Sequence, residues 1–111
     1  MLKGILIKTD NTYQVVEYED TLETLQNYVG GYIEYVNITS YFSKEKDIDI
    51  DMIVNEEGKI IDLEYNELAS IFYPYDYIAG DALVVATKYG DNISLSDKQI
   101  EEIIETIERI I

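Results

Sequence analysis

Asp81-Ala82-Leu83-Val84-Val85-Ala86-Thr87-Lys88 is the stretch on which the fold turns. It is a short apolar run rich in β-branched residues and bounded by turn signals, which fits a central strand. Toward the C-terminus, Tyr89-Gly90-Asp91-Asn92 reads as a turn. Ser96 then caps a last helix, and Gln99, three residues on, completes a capping box. Ile100, Ile103, Ile104, Ile107, Ile110 and Ile111 recur at helical spacing and mark one apolar stripe. So many β-branched residues lower intrinsic helix propensity, so this helix depends on packing against the sheet.

Toward the N-terminus, Asn66 caps a short helix with Leu68, Ile71 and Phe72 facing inward, and Pro74 blocks its extension. Before it come strands at 32–38 and 47–54. Asn55-Glu56-Glu57-Gly58 reads as a hairpin turn, with Lys59-Ile60-Ile61-Asp62-Leu63 returning as a further strand. Asp20 opens another short helix, with Glu23 completing a capping box. Leu22, Leu25, Tyr28 and Val29 share one face of it, and Gly30-Gly31 ends it. Residues 2–8 and 13–18 form a hairpin around Asp10-Asn11, so the first apolar run reads as a strand and not a signal peptide. The expectation is one α+β domain over residues 1–111. It has a mostly antiparallel sheet of about five to six strands, covered on one face by two short helices and a C-terminal amphipathic helix.

The composition narrows function by exclusion. The 111 residues hold 8 Lys+Arg against 23 Asp+Glu, a formal net charge of -15, with no His, Cys or Trp but 11 Tyr. Disulfides, thiolate metal sites, thiol catalysis and a His general base are therefore impossible. Direct nucleic-acid binding is disfavoured, because it needs cations that displace phosphate counterions. At 47 % hydrophobic residues the chain is too apolar for an acidic disordered segment. No apolar run has the roughly 18 residues of a membrane span. The expected setting is cytoplasmic, in a host cell.

Several segments carry a resemblance. They are Val29-Gly30-Gly31-Tyr32-Ile33-Glu34, Val54-Asn55-Glu56-Glu57-Gly58-Lys59, Tyr65-Asn66-Glu67-Leu68-Ala69, Ile78-Ala79-Gly80-Asp81-Ala82-Leu83-Val84-Val85 and Ser94-Leu95-Ser96-Asp97. In order and spacing the chain resembles a small domain-of-unknown-function family found in phages, plasmids and other mobile elements. The resemblance implies no catalytic residues. It implies a mobile-element setting, in which small accessory proteins often counter host defence.

The acidic residues are not spread evenly. Residues 1–16 hold Lys3 and Lys8 against Asp10, and the negative excess starts at Glu17. Asp47, Asp49 and Asp51 alternate with Ile48, Ile50 and Met52, which puts the three carboxylates on one strand face. Their spacing of roughly 6.8 Å per two residues is near that of successive phosphates on a nucleic-acid strand. An ordered row of this kind imitates a phosphate backbone; the plainer reading is a solvated face that deters edge pairing. Glu101, Glu102, Glu105 and Glu108 extend the negative surface along the last helix. Tyr73, Tyr75 and Tyr77, around Pro74, are the best contact candidates, because Tyr supplies rigid area with a polar tip.

No metal site is expected. Counted from Asp47, a calcium loop would need Gly at position six and Glu at twelve, where Met52 and Gly58 stand. No Ser has a His to activate it and no Gly-rich phosphate loop follows Gly30-Gly31, so neither an enzyme nor a cofactor is expected. The partner expected is a basic nucleic-acid-binding protein of a host defence system, such as a CRISPR effector or restriction enzyme. The chain would occupy its DNA or RNA groove as an inhibitor, as a monomer or homodimer. Two alternatives stand beside this: sequestration of a nucleotide immune signal, and a non-inhibitory accessory domain.

Overall fold

A computed structural model describes all residues, 1–111. The strands are β1 (Leu2–Ile7), β2 (Tyr13–Tyr18), β3 (Ile33–Asn37), β4 (Ile48–Asn55), β5 (Ala82–Lys88) and β6 (Asp91–Ile93). The helices are α1 (Leu22–Val29), α2 (Glu67–Ile71) and α3 (Asp97–Ile110), with a single 3-10 turn at Thr39–Tyr41. The strand order is β2-β1-β5-β4-β3, with β6 paired to the end of β5, and every pairing is antiparallel. The sequence expectation of an α+β antiparallel domain therefore stands, with β5 at the centre. No helix is long and apolar enough to cross a membrane.

The helices lie on both faces of the sheet and not on one. Alternation along each strand assigns the sides. Ile5, Ile7, Met52, Val84 and Ala86 pack with Leu68 of α2, with Phe72 at its C-cap, and with Ile103 and Ile107 of α3. Leu6, Tyr18, Ile53, Leu83 and Val85 pack with Leu25 and Val29 of α1 on the opposite side. A strand covered on both faces has no polar positions to alternate, which is why 82–86 reads as an unbroken apolar run.

Local chemistry explains most of the element ends. Ser96 and Gln99 form the full reciprocal capping box of α3. The Asn66 side chain accepts from the Ala69 N–H at 3.0 Å, and its amide donates to the carbonyls of Ile7 and Gly80, both at 3.0 Å. The cap thus also ties α2 to the sheet. Gly30 ends α1 at φ 78°, where its N–H donates to the Gln26 carbonyl. Gly4 leaves no room for a side chain: an added Cβ would lie 2.9 Å from the Val84 carbonyl oxygen and 3.1 Å from the Tyr18 ring.

Four further expectations are corrected. The α1 cap is Thr21, whose side chain accepts from the Thr24 N–H, and not Asp20 with Glu23; Asp20 lies before the helix and accepts from the Asn92 amide at 2.9 Å. Residues 59–63 form turns and no strand. β4 is already bonded to β3 on one side and β5 on the other, so a returning strand has no vacant partner. The segment instead curls, with Ile61 N–H donating to Glu57 and Leu63 N–H to Gly58. Asp91 and Asn92 belong to β6, so the turn before it shrinks to Tyr89-Gly90. Ile71 is exposed, leaving Leu68 and Phe72 as the inward residues of that helix end.

Candidate partner-binding surface

The three aspartates do not form a free row. Asp47 precedes β4, is exposed and sits in the left-handed region at φ 65°. Asp49 is half-buried and accepts from the Thr39 hydroxyl at 3.2 Å. Asp51 is only 9 % exposed and accepts from the Thr87 hydroxyl at 2.7 Å. Alternation does put Asp49 and Asp51 on the side opposite Ile50 and Met52. That side is the α1 face of the sheet, where hydroxyls from neighbouring segments engage both carboxylates. Burial pushes the Asp51 carboxyl above its ordinary value, against the lowering effect of the Thr87 hydrogen bond. The trio therefore offers one freely exposed carboxylate, Asp47, and not an ordered row of three.

The same face holds a polar cluster that the sequence did not reveal. The Tyr35 hydroxyl donates to the Asn92 side chain at 2.9 Å, and the Asn92 amide donates in turn to Asp20. Tyr18, 1 % exposed, keeps its hydroxyl buried with no hydrogen-bond partner. Burial raises the pKa of Tyr18 strongly, and the Asp20 charge adds to it. The alternation of β3 carried a signal for Tyr35, but nothing in sequence joined it to Asn92, 57 positions away.

Helix α3 divides its glutamates. Glu101 is exposed. Glu102 turns inward and accepts from the Ser43 N–H. Glu105 lies 3.9 Å from Arg109. Glu108 is exposed and stands beside the Tyr13 hydroxyl, whose pKa is raised first by desolvation and then by this carboxylate. Glu101, Glu105 and Glu108 share one outward face by their spacing.

The tyrosines around Pro74 also separate. Tyr75 is 84 % exposed. Tyr73 is half-buried and meets Tyr75 edge to face at 5.5 Å. Tyr77 lies beneath the Lys59 ammonium, 4.5 Å from its ring centre. Lys59 also pairs with Asp76, and this contact, with the Lys59 hydrogen bond foremost, holds the Asp76 carboxyl below its ordinary value. Reading 59–63 as a strand hid this cation. Lys59, Tyr73 and Tyr77 line a cleft of about 150 Å³, together with Glu34, Val36 and Glu56.

Across the whole molecule the acidic charge is left unbalanced. Of the 23 carboxylate side chains, only Asp97, Asp76 and Glu105 have a Lys or Arg nitrogen within 4.0 Å. Glu17, Glu19, Asp20 and Glu23 are exposed from the end of β2 to the start of α1. A second exposed group, Glu56, Glu57, Asp62, Glu64 and Glu67, follows β4 and was not singled out by the sequence pattern. The profile of a family described as a domain of unknown function (DUF3846) matches residues 2–108. No curated protein and no solved structure matches the chain.

Proposed function

The chain belongs to the DUF3846 family, whose description assigns no activity, and from its surface we propose that it is a binding protein that occupies a basic nucleic-acid groove. The target class is a host defence nuclease, a CRISPR effector or restriction enzyme. The setting is the cytoplasm of a cell carrying a phage or other mobile element. One observation carries the reading: 23 carboxylates on a sheet domain, of which three have a cation within reach. Self-repulsion at a charge of -15 works against the folded state. A cationic partner relieves it, as counterion release does for nucleic acid.

The roles move with the geometry. Asp51 is buried and Asp49 is half-buried and engaged by Thr39, so the imitation of phosphates is assigned to exposed side chains. Glu17, Glu19 and Glu23 supply one group, and Glu101, Glu105 and Glu108 the other. Tyr75 gives exposed aromatic area. The reading is of a binder and not an enzyme. The nucleotide-sequestering alternative gains no support from the cleft, which carries carboxylates and whose one cation, Lys59, is already engaged by Asp76.

The test is direct titration against a purified CRISPR effector and a restriction endonuclease. Binding should weaken steeply between about 50 and 500 mM salt, compete with DNA or guide RNA, and suppress cleavage. Replacing Glu101, Glu105 and Glu108 together with Gln should weaken it by about tenfold or more. Binding that is insensitive to salt and undisturbed by DNA would refute the proposal.

A further inference from the structure

β3 is the outer strand of the sheet, and only β4 bonds to it. The Glu56 N–H donates to the Tyr32 carbonyl at 2.8 Å, and the Ile38 N–H donates to the Ile50 carbonyl at 2.9 Å. In an antiparallel pair the bonded residues alternate. With Tyr35 opposite Ile53, this parity turns the backbone groups of Glu34 and Val36 toward β4. The N–H and C=O groups of Ile33, Tyr35 and Asn37 therefore point outward. No group of this chain outside the β3–β4 ladder bonds to them.

Natural edges are usually guarded by Lys, Pro or a bulge. β3 has no Lys and no Pro; its one charge is Glu34, which is exposed. A carboxylate repels an acidic strand and attracts a basic one. A second copy of this chain brings another -15 and another Glu34 to the same edge, so self-pairing is opposed.

The cleft of about 150 Å³ opens beside this edge, with Glu34 and Val36 of β3 in its wall. Its one cation, Lys59, is already engaged by Asp76 and by the Tyr77 ring. Glu34 and Glu56 have no cation. The opening has room for one long side chain and offers Val36 and the Tyr73 and Tyr77 rings to an aliphatic stem. A strand added to β3 places every second side chain on the face where this cleft lies.

We propose that the outer edge of β3 accepts an extended basic segment of a partner protein as an added strand, with one Arg or Lys side chain seated in the cleft at Glu34 and Glu56. Main-chain bonds to Ile33, Tyr35 and Asn37 supply the grip, and the cleft supplies the choice of side chain. The inference takes from the reading above only the sign of the partner's charge, and it names how such a partner is held.

The experiment is a titration of the isotope-labelled full chain with a short peptide alternating Val and Arg, followed by amide shifts and hydrogen exchange. Two control peptides replace Arg by Glu, or methylate alternate backbone nitrogens while keeping Arg. The Arg peptide should slow exchange at Ile33, Tyr35 and Asn37 and shift the residues around Glu34. The Glu peptide should not bind, and the methylated peptide should bind about tenfold more weakly or worse. Glu34→Lys, on an exposed side chain, should keep the spectrum of the rest of the fold and weaken the Arg peptide by a similar factor. Equal binding of plain and methylated peptides, or shifts confined to α3, would mean charge attraction alone; the strand inference then fails while the groove-binding proposal survives. Absence of binding, or self-association through residues 33–37, also overturns it.

Discussion

The Thr87 hydroxyl donates to the Asp51 carboxylate at 2.7 Å, across the pairing of β4 with the central strand β5. Asp51 is buried, and burial lifts its pKa above the ordinary 3.8. The folded state therefore holds this proton more tightly than the unfolded state. Stability tied to Asp51 is present below the unfolded value and declines as pH rises from there through the raised folded value. Asp51→Asn removes the titration and keeps an oxygen for Thr87. Its thermal midpoint should match the parent below pH 4 and exceed it by a few degrees at pH 7, as followed by circular dichroism at both pH values. A variant less stable than the parent at pH 7 would contradict this.

Thr87→Val leaves the same carboxylate without its hydroxyl donor. The expected loss is about 1–3 kcal/mol at pH 7, the cost of a buried acceptor deprived of its partner. The loss should shrink at acid pH, where Asp51 is protonated. Urea unfolding at pH 7 and pH 3.5 reads both.

Tyr18 spends its buried hydroxyl on no partner, while its ring lies over Gly4. Tyr18→Phe keeps the ring and deletes the orphan group, so it should be neutral or stabilising by up to about 1 kcal/mol. Gly4→Ala forces a methyl against the Val84 carbonyl and the ring, and should destabilise by about 1–3 kcal/mol. Only the second change should lower stability, and urea denaturation of both variants reads the difference.

Asn66 is fully buried and serves three backbone groups with one side chain. Asn66→Asp keeps the acceptor for Ala69 but turns a carboxyl oxygen toward the carbonyls of Ile7 and Gly80. The expected loss is about 3 kcal/mol or more near neutral pH. Protease resistance should fall first around α2, and limited proteolysis checks this.

The unpaired carboxylates predict a salt response. Raising NaCl from about 10 mM to 500 mM shortens the screening length from tens of ångströms to a few. The parent should gain several degrees in thermal midpoint over this range. The Glu101/Glu105/Glu108→Gln variant should gain less, because it starts with less repulsion. A flat response in the parent would mean that the charges are too far apart to matter.

What was legible in the sequence was local. The Ser96–Gln99 box, the Asn66 cap, the first hairpin and the 82–88 strand each rest on residues within a few positions of one another. What was not legible depended on neighbours far along the chain. Alternation assigned Asp49 and Asp51 to one side of β4 correctly. It gave no sign that Thr39 and Thr87 arrive there from the adjoining segments, so the carboxylates looked free when they are engaged. The segment 59–63 failed for a related reason: Ile60, Ile61 and Leu63 have strand character, but both sides of β4 are taken. Ile60 consequently stands 82 % exposed. The free edge of β3 followed from strand order, which no local pattern encodes.

The pairing of Ile7 with Ala82 has a consequence for synthesis. At about 5–20 residues per second, the roughly 75 residues between these partners take about 4–15 s to leave the ribosome. The first hairpin forms within microseconds and then waits, its inner side bare, for the strand that completes the sheet. That waiting hairpin carries Lys3 and Lys8 against Asp10 and Glu17, so it has no net charge to hold it apart from other chains. Delay in translation before residue 88 should therefore be the period in which this protein most needs a chaperone.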